Sequence, residues 1–165
     1  MDRLSLHAIN YMKKINKKKY KKTLSKFSTG VTIVGINVNN KVIGKTVNSF
    51  SSVSLSPPLV SFSLDKKSTE INQYKNSNYL SINILNNNQK NISIIFSKKK
   101  SQWGNVDFYL SKYKTPVIKN CLSNLECKVE KLIPTGDHII FICKIINILN
   151  NDNKKPLIYY NSSYL

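Results

Sequence analysis

Residues 46–54 concentrate side chains that both donate and accept hydrogen bonds, although the sequence on either side of them is apolar and strand-like. Thr46, Asn48 and four serines fall within this segment. The pattern fits a solvated strand face, because β-strands accept Ser and Thr at modest cost. It also fits the wall of a cleft that hydrogen-bonds a heteroaromatic ring and a sugar-like chain. The segment is therefore the first candidate for a binding site.

Three further features could contribute chemistry, and each has a structural alternative. Residues 66–69 form a Ser/Lys loop before a short predicted helix, which fits either a phosphate cradle or a plain helix cap. His138 follows a Pro-Thr-Gly-Asp turn, where an imidazole either contacts a ligand or is satisfied within the structure. Phe96 and Trp103 could stack on a bound ring or pack in the core.

Several classes of site are excluded by missing motifs. The chain has no GxGxxG, Walker, HExxH or GxSxG motif, which argues against a Rossmann nucleotide site. Cys121, Cys127 and Cys143 are odd in number and show no CxxC spacing. Neither a disulfide framework nor a metal site is expected, and the three thiols are interpreted as small buried hydrophobes.

The formal net charge of +18 allows two interpretations. Such a charge is typical of nucleic-acid binding. However, all but one of the 26 basic residues are lysine, whereas dedicated nucleic-acid sites favour arginine. Lys, Asn and Ile are abundant together, and all three have A/T-rich codons, so a biased genome accounts for the charge without a polyanionic partner. Specific nucleic-acid binding is not expected.

Length and hydropathy limit the classes to which the protein can belong. A chain of 165 residues with 41% hydrophobic residues is long enough for one domain with its own core. No apolar run approaches the roughly 18 residues that a membrane span needs. The first residues lack the pattern of a signal peptide. We therefore expect a cytoplasmic protein with no membrane association.

Hydrophobic periodicity predicts the elements that would position the candidate residues. Residues 18–27 form an amphipathic helix with Tyr20, Leu24 and Phe27 on its apolar side. In residues 122–132 the alternation predicts that Glu126, Lys128 and Glu130 face outward. Short helices are predicted over residues 88–96 and from Ser68 or Thr69 through Tyr74, and residues 97–120 are predicted to be mostly loop. Strands are predicted over residues 31–38, 41–54, 59–64, 79–85, 122–132, 138–149 and 156–160.

Several strands, a few short helices and no βαβ rhythm predict an antiparallel barrel of the mainly β or α+β class. Ordered sequence blocks from about residue 20 to 165 then resemble the flavin reductase-like family, the short-chain reductases of two-component monooxygenases. The blocks are residues 27–34 (FSTGVTIV), 46–54 (TVNSFSSVS), 57–60 (PPLV), 64–68 (LDKKS), 80–85 (LSINIL) with Gln89, 125–127 (LEC), 136–138 (GDH) with 140–141 (IF), and 156–160 (PLIYY). Several blocks in the family's order are far more specific than any one of them.

The resemblance implies an antiparallel Greek-key split β-barrel over residues 18–165, behind a basic N-terminal arm at 1–17. It implies an NAD(P)H-dependent oxidoreductase, a flavin reductase that transfers hydride from NADH or NADPH to FMN or FAD. A homodimer is expected, because the family builds its flavin cleft near the subunit interface, and an oxygenase could receive the reduced flavin. The alternatives are an FMN-binding oxidase or electron carrier of the same fold, or a basic nucleic-acid-binding barrel.

The resemblance also assigns roles to matching positions. Thr46, Asn48 and Ser49 would line the ring and ribityl chain, and Ser63, Lys67 and Ser68 would meet the phosphate. His138 would be the catalytic residue that faces the nicotinamide. The full implied cofactor set is Thr29, Thr46, Val47, Asn48, Ser49, Ser51, Ser52, Ser63, Lys67, Ser68, Trp103 and Tyr160. Residues 161–164 (NSSY) depart from the family, which often has arginines here, so no basic contact to the dinucleotide is expected from this end.

Overall fold

The computed structural model describes residues 15–99, 102–151 and 153–165. Most of the predicted basic arm, residues 1–14, lies outside the described residues. The helices are α1 (Lys17–Leu24), α2 (Ile71–Lys75) and α3 (Lys90–Ser97), and a 3-10 turn at Asn87–Gln89 precedes α3. The strands are β1 (Thr29–Gly30), β2 (Thr32–Val38), β3 (Lys41–Val47), β4 (Ser51–Ser54), β5 (Leu59–Asp65), β6 (Tyr79–Ile84), β7 (Phe108–Leu110), β8 (Pro116–Ile118), β9 (Ser123–Thr135), β10 (His138–Asn150), β11 (Ile158–Tyr160) and β12 (Ser163–Tyr164). None of the described helices is long and apolar enough to cross a membrane.

Seven strands form one antiparallel sheet in the order β3-β2-β6-β9-β10-β5-β4. The consecutive strands β3 and β4 therefore stand at opposite edges of this sheet. Only residues 48–50 join them, and so short a segment spans at most about 14 Å. The sheet must curl until its two edges approach each other, which gives a barrel that is open along β3 and β4. This confirms the predicted antiparallel split barrel.

The hairpin between β2 and β3 fixes the register of the strand that leads into the candidate site. Asn39 and Asn40 adopt φ angles of 52° and 61°, the left-handed region that a two-residue hairpin turn requires. Asn tolerates this region better than most residues. The predicted turn at these two residues is confirmed, and it sets Thr46 opposite Ile33 on β2.

Two hydrophobic clusters hold the fold together. The first fills the barrel, where Phe62 of β5 stacks on Phe141 of β10 with ring centroids 4.8 Å apart. Full burial of such a side chain stabilises the fold by about 1.5–3 kcal/mol. The second cluster joins α3 to the outer side of the barrel through Phe96 and Trp103. A Cβ at Gly44 would lie 2.8 Å from Phe96 and 2.9 Å from Trp103, so α3 reaches β3 only because residue 44 is glycine.

The strand predicted over residues 41–54 is wrong as a single element. The chain leaves the sheet after Val47 and re-enters it at Ser51, because it must cross from one sheet edge to the other. Residues 97–120 are mostly loop where they are described, as predicted, but β7 and β8 form an unpredicted hairpin there with Phe108 opposite Ile118. The short strand β12 was not predicted.

Glu126 does not face solvent as its alternation predicted. Its side chain is buried and accepts hydrogen bonds from Thr115 Oγ1 at 2.8 Å and from Asn147 Nδ2 at 2.7 Å. A register shift between Ile145 and Asn147 brings Asn147 opposite Glu126. The alternation failed because the residues around Thr115 cover the face of β9 that the sequence pattern assigned to water.

The helix predicted from residue 18 is present, but residues 15–99, 102–151 and 153–165 leave its apolar side uncovered. The Asn16 side chain caps its start by accepting from the backbone N–H groups of Lys18 and Lys19. Tyr20, Leu24 and Phe27 remain 53%, 54% and 77% exposed. Periodicity predicted the helix correctly, but it cannot say what packs against it.

The cap predicted for α2 is wrong. Glu70 occupies the N-cap position without a side-chain hydrogen bond to the helix. The Thr69 hydroxyl instead contacts the Glu70 carboxylate. The Ser68 hydroxyl is buried and has no hydrogen-bond partner in the described part of the chain. The loop before α2 thus leaves a polar group that the helix does not use.

Candidate active site

A cleft of about 470 Å³ opens where the ends of β3 and β5 meet the start of β10. One wall comes from the end of β3 and the residues after it, and the other comes from β5, β9 and β10. The lining residues are Lys45, Thr46, Val47, Asn48, Ser49, Ser63, Leu64, Asp65, Thr135, His138 and Ile140. The cleft therefore joins six predicted site residues that are far apart in the sequence: Thr46, Val47, Asn48, Ser49, Ser63 and His138.

Two hydroxyl groups in this cleft hold its walls in place. Ser49 Oγ accepts the Ser63 backbone N–H at 3.0 Å and lies 3.3 Å from the Ser63 carbonyl, to which it donates. Thr46 Oγ1 donates to the Ser93 carbonyl of α3 at 2.6 Å. Ser49 thus ties the β3–β4 connection to β5, and Thr46 ties β3 to the helix. Both hydroxyls retain acceptor capacity toward a ligand.

A second cleft of about 240 Å³ lies on the other side of the same wall. Both clefts are lined by Lys45, Thr46, Val47 and Asn48, and the second adds Val31, Ser97, Tyr159 and Tyr164. The Tyr164 hydroxyl is 2.8 Å from Ser93 Oγ. The C-terminal strands are therefore linked to the wall through Ser93, which also accepts from Thr46.

The remaining predicted residues lie outside the lining of both clefts. Ser51 and Ser52 are exposed on β4, and Tyr160 is exposed on β11. Trp103 packs between Phe96 and Phe108 in the second cluster, with centroid distances of 4.6 and 4.5 Å. Thr29 pairs with Tyr159 on β11, and Lys67 is exposed beside the Asp65 carboxylate that caps its backbone N–H at 2.7 Å. The cofactor contacts expected of these residues stay predictions.

Unsatisfied polar groups test whether the site fits a flavin with a phosphate-bearing chain. The hydroxyls of Ser68 and Thr29 are buried and have no hydrogen-bond partner among the described residues. Such groups are rare, because an unmet buried donor costs about 1–3 kcal/mol. Ser68 lies three residues beyond Asp65, which lines the larger cleft. The hydroxyl and ammonium donors of Ser63, Lys67 and Ser68 have the chemistry that a phosphate group requires.

His138 enters the cleft from the first position of β10 and is oriented by its neighbour. His138 Nδ1 lies 2.7 Å from Asp137 Oδ1. This hydrogen bond lowers the pKa of the Asp137 carboxyl below its ordinary value. Asp137 belongs to the turn before the strand, so the two side chains meet although neighbours within a strand diverge. The contact occupies Nδ1 and leaves Nε2 for a ligand.

Several residues that line the clefts were not predicted. Lys45 directly precedes the block at residues 46–54 and Asp65 lies within the block at 64–68, but the charge of neither gave a separate signal. Tyr159 and Tyr164 line the second cleft, whereas the prediction named Tyr160 between them. The period of two along a strand could have favoured Tyr159, had the partner strand β1 been known.

No other chemical centre stands out in the described part of the chain. No group of three or more His, Cys, Asp and Glu there could hold a metal ion. The three cysteines are free and buried. Burial raises the pKa of Cys121 and of Cys143 to about 12, so neither thiol is poised as a nucleophile.

Comparison with known proteins identifies the family. Residues 24–165 match the family described as flavin reductase like domain. FMN reductase (NADH) SmoA of Agrobacterium fabrum is 30% identical over 149 residues, covering 90% of this chain and 85% of that protein. The reductase subunit HsaB of a flavin-dependent monooxygenase of Mycobacterium tuberculosis is 28% identical over 153 residues, covering 91% and 82%.

A solved structure gives the same result for the fold. NADH:FAD oxidoreductase SgcE6 of Streptomyces globisporus, in complex with NAD and FAD fragments, superimposes with a TM-score of 0.87 at 26% identity. The match covers 91% of this chain and 92% of that one. The family match extends over β1 to β12 and includes both clefts, so the predicted resemblance is confirmed. The chain belongs to the flavin reductase-like domain family.

Proposed function

We propose that the larger cleft binds the isoalloxazine ring of FMN or FAD against the wall formed by residues 45–49, with the nicotinamide of NAD(P)H entering from the side of His138. The chain is an NAD(P)H:flavin oxidoreductase, and this placement would bring its two substrates together. The observation that carries the proposal is the cleft itself, which sets Asn48 and His138 in one lining. A bound flavin would supply the acceptor for the hydride.

The protein's contribution is binding and orientation. The Asn48 amide can donate and accept, which suits a heteroaromatic ring edge. Ser49 and Thr46 would keep the wall rigid through their bonds to Ser63 and Ser93. Holding two rings in reactive geometry removes much of the entropic barrier of a bimolecular reaction. No residue need act as a nucleophile, which agrees with a lining whose polar side chains are hydroxyls, one amide, one imidazole, one ammonium and one carboxylate.

The phosphate of the flavin would extend toward the loop between β5 and α2. The Ser68 hydroxyl, which has no hydrogen-bond partner among the described residues, supports this direction, together with the exposed side chain of the neighbouring Lys67. His138 would contact the carboxamide or the pyrophosphate of the nicotinamide cofactor through Nε2. The Asp137 contact supports this role by orienting the ring.

The expected assembly is a homodimer that passes reduced flavin to an oxygenase. Exposed Tyr20, Leu24 and Phe27 on and beside α1 support a subunit contact, because apolar side chains that cluster on a surface mark interaction sites. The relative HsaB is a monooxygenase reductase subunit, which supports an oxygenase partner. The boundary between arm and domain near residue 18 and the cytoplasmic location remain predictions.

The test is a titration of the purified chain with FMN and FAD, followed by NADH and NADPH. Quenching of flavin fluorescence with a Kd at or below about 1 µM is expected, which corresponds to about −8 kcal/mol. Bleaching of the flavin absorbance by either nicotinamide would follow. Binding without bleaching would favour the oxidase or electron carrier. Absence of flavin binding, with tight sequence-selective DNA binding, would favour the nucleic-acid alternative.

A further inference from the structure

Lys45 occupies a position that the hydroxyl-rich motif does not explain. Apart from the His138 imidazole, it is the one basic side chain among the described residues that line the larger cleft, and it is the one basic side chain in the described lining of the second. Its position on the wall shared by both clefts puts its charge beside any ligand that spans them. This is also the wall assigned above to the isoalloxazine ring, whereas Lys67 and Ser68 lie beyond Asp65.

The Lys45 ammonium has few partners among the residues that the structure describes. The side chain is half-buried, and its Nζ donates one long hydrogen bond of 3.4 Å to the Lys98 carbonyl. Neither ion pair found among the described residues involves it. No Asp or Glu occurs between Asp2 and Asp65 in the sequence. An ammonium has three donors, so at least two are available for a ligand.

Hydride transfer creates a negative charge that such a cation can meet. The bond from C4 of the dihydronicotinamide to hydrogen breaks, and hydrogen leaves with both electrons to form a bond at flavin N5. The nicotinamide is oxidised to its cation, and the neutral isoalloxazine ring gains one negative charge, which resides at N1 and the C2 carbonyl. A fixed cation aimed at developing charge lowers both the barrier and the energy of the product.

We propose that Lys45 is the residue that stabilises this charge, so that its ammonium raises the affinity of the site for reduced flavin relative to oxidised flavin. The inference rests on the proposed function. The phosphate is the other anionic group of FMN, and the proposed function assigns it to Ser63, Lys67 and Ser68, of which only Ser63 lines the larger cleft. Lys45 therefore acts on the redox state of the ring and not on the phosphate.

The experiment compares Lys45→Met with Lys45→Arg and with Lys41→Met. Lys41 is exposed near the start of the same strand and lines neither cleft, which makes it the matched control. For each protein we would measure the Kd of oxidised FMN and of riboflavin by fluorescence quenching. The midpoint potential of bound FMN, measured spectroscopically against a redox dye, then gives the ratio of the affinities for reduced and oxidised flavin.

In Lys45→Met the affinity for reduced FMN is expected to fall about 10-fold relative to oxidised FMN, which lowers the midpoint potential by about 30 mV. FMN and riboflavin should be affected equally, Lys45→Arg should restore most of the potential, and Lys41→Met should match wild type. An unchanged potential in Lys45→Met would overturn the proposal. A loss of oxidised FMN binding without loss of riboflavin binding would assign Lys45 to the phosphate and overturn it too.

A third result against the proposal is an increase in the NADH KM of Lys45→Met with unaltered potential, which would assign the lysine to the dinucleotide. These failures leave the proposed function intact, because wild type would still bind flavin and be reduced. Wild-type protein that binds neither FMN nor riboflavin would remove both the proposed function and the role of Lys45.

Discussion

Ser49 and Ser63 are joined by a reciprocal contact across the split in the barrel. The hydroxyl of Ser49 accepts the backbone N–H of Ser63 and donates to its carbonyl, at 3.0 and 3.3 Å. The Ser49 side chain thereby satisfies both the backbone N–H and the backbone carbonyl of Ser63 on β5. The connection between β3 and β4 is held at the position where a ligand would touch Asn48.

Ser49→Ala should loosen this connection and weaken FMN binding. The loss of two modest hydrogen bonds is expected to cost about 0.5–1.5 kcal/mol, or roughly 2- to 12-fold in Kd. Fluorescence titration measures the change. Ser25→Ala is the control, since the Ser25 hydroxyl contacts the Lys22 carbonyl at the end of α1 and Ser25 lines neither cleft. An equal effect in both variants would contradict a specific role for the Ser49–Ser63 contact.

Asn48→Leu should weaken flavin binding more strongly than Ser49→Ala. Leucine cannot hydrogen-bond the flavin ring. A polar group of the bound ligand that is left without a hydrogen bond costs about 1–3 kcal/mol. The thermal unfolding temperature should be unchanged, because the Asn48 side chain is exposed and makes no intramolecular hydrogen bond among the described contacts. A folded variant with wild-type affinity would remove Asn48 from the site.

His138→Ala should leave FMN affinity nearly intact and raise the NAD(P)H KM, slow flavin reduction, or both, by about 10-fold. The imidazole lies at the nicotinamide end of the proposed arrangement, so its loss should not touch the flavin. Stopped-flow reduction at several NAD(P)H concentrations separates the two effects. Asp137→Asn tests the orienting contact and should give a smaller change in the same direction. Wild-type reduction rates at every concentration would make His138 structural.

Gly44→Ala should destabilise the protein by about 1–3 kcal/mol, since a new methyl group would overlap Phe96 and Trp103. Urea unfolding measures the loss. Displacement of α3 should also break the Thr46–Ser93 hydrogen bond and reduce flavin affinity. Gly30→Ala adds the same methyl group where nothing lies within 4 Å, and it should be neutral. Equal stability of the two variants would refute the close packing at Gly44.

Glu126→Gln should lower the unfolding free energy at neutral pH by about 1–3 kcal/mol, because a neutral amide matches the donors of Thr115 and Asn147 poorly. Burial alone would raise the pKa of Glu126, but hydrogen bonds from Ser111, Asn147 and Thr115 outweigh it and hold the pKa below its ordinary value of 4.5. A lowered pKa contributes stability above pH 4.5 that is lost as the pH falls through the folded value. The difference between wild type and variant should therefore shrink in acid.

The matched control for this pH series is Glu130→Gln, since Glu130 is exposed on the same strand. Urea unfolding at several pH values between about 3 and 7 supplies both curves. A stability difference for Glu126→Gln that stays constant across this range would contradict a charged Glu126 in the folded protein.

Local sequence signals predicted the strands, but they did not predict for every side chain whether it is buried or exposed. Asn39 and Asn40 specify their hairpin by backbone preference alone, and the ordered blocks place His138 and Asn48 in one barrel. The alternation along β9 predicted the wrong environment for Glu126. The residues that bury it belong to the β7–β8 segment, which has no strong periodicity of its own. The same holds for Tyr20 and Leu24, since a helical repeat shows which side is apolar and not whether a partner covers it.

The candidate site was predictable where it lies within one continuous segment. Thr46, Val47, Asn48 and Ser49 are adjacent in sequence, so their side chains remain close in any fold. Trp103 and Tyr160 could not be assigned in the same way, because their surroundings depend on long-range pairing. Gly44 leaves room for Trp103, which is more than fifty positions away in the sequence. Pairing with β1 determines which tyrosine faces the second cleft.

The three buried thiols can be used to measure how often the hydrophobic clusters around them open. Cys127 and Cys143 lie in the cluster inside the barrel, and Cys121 lies in the cluster under α3. A thiol reagent can reach them only when the surrounding cluster opens, so each alkylation rate reports a local opening equilibrium. Matching rates at all three positions would mean that barrel and outer layer open as one cooperative unit. Faster labelling of Cys121 would instead mean that the cluster under α3 opens before the barrel does.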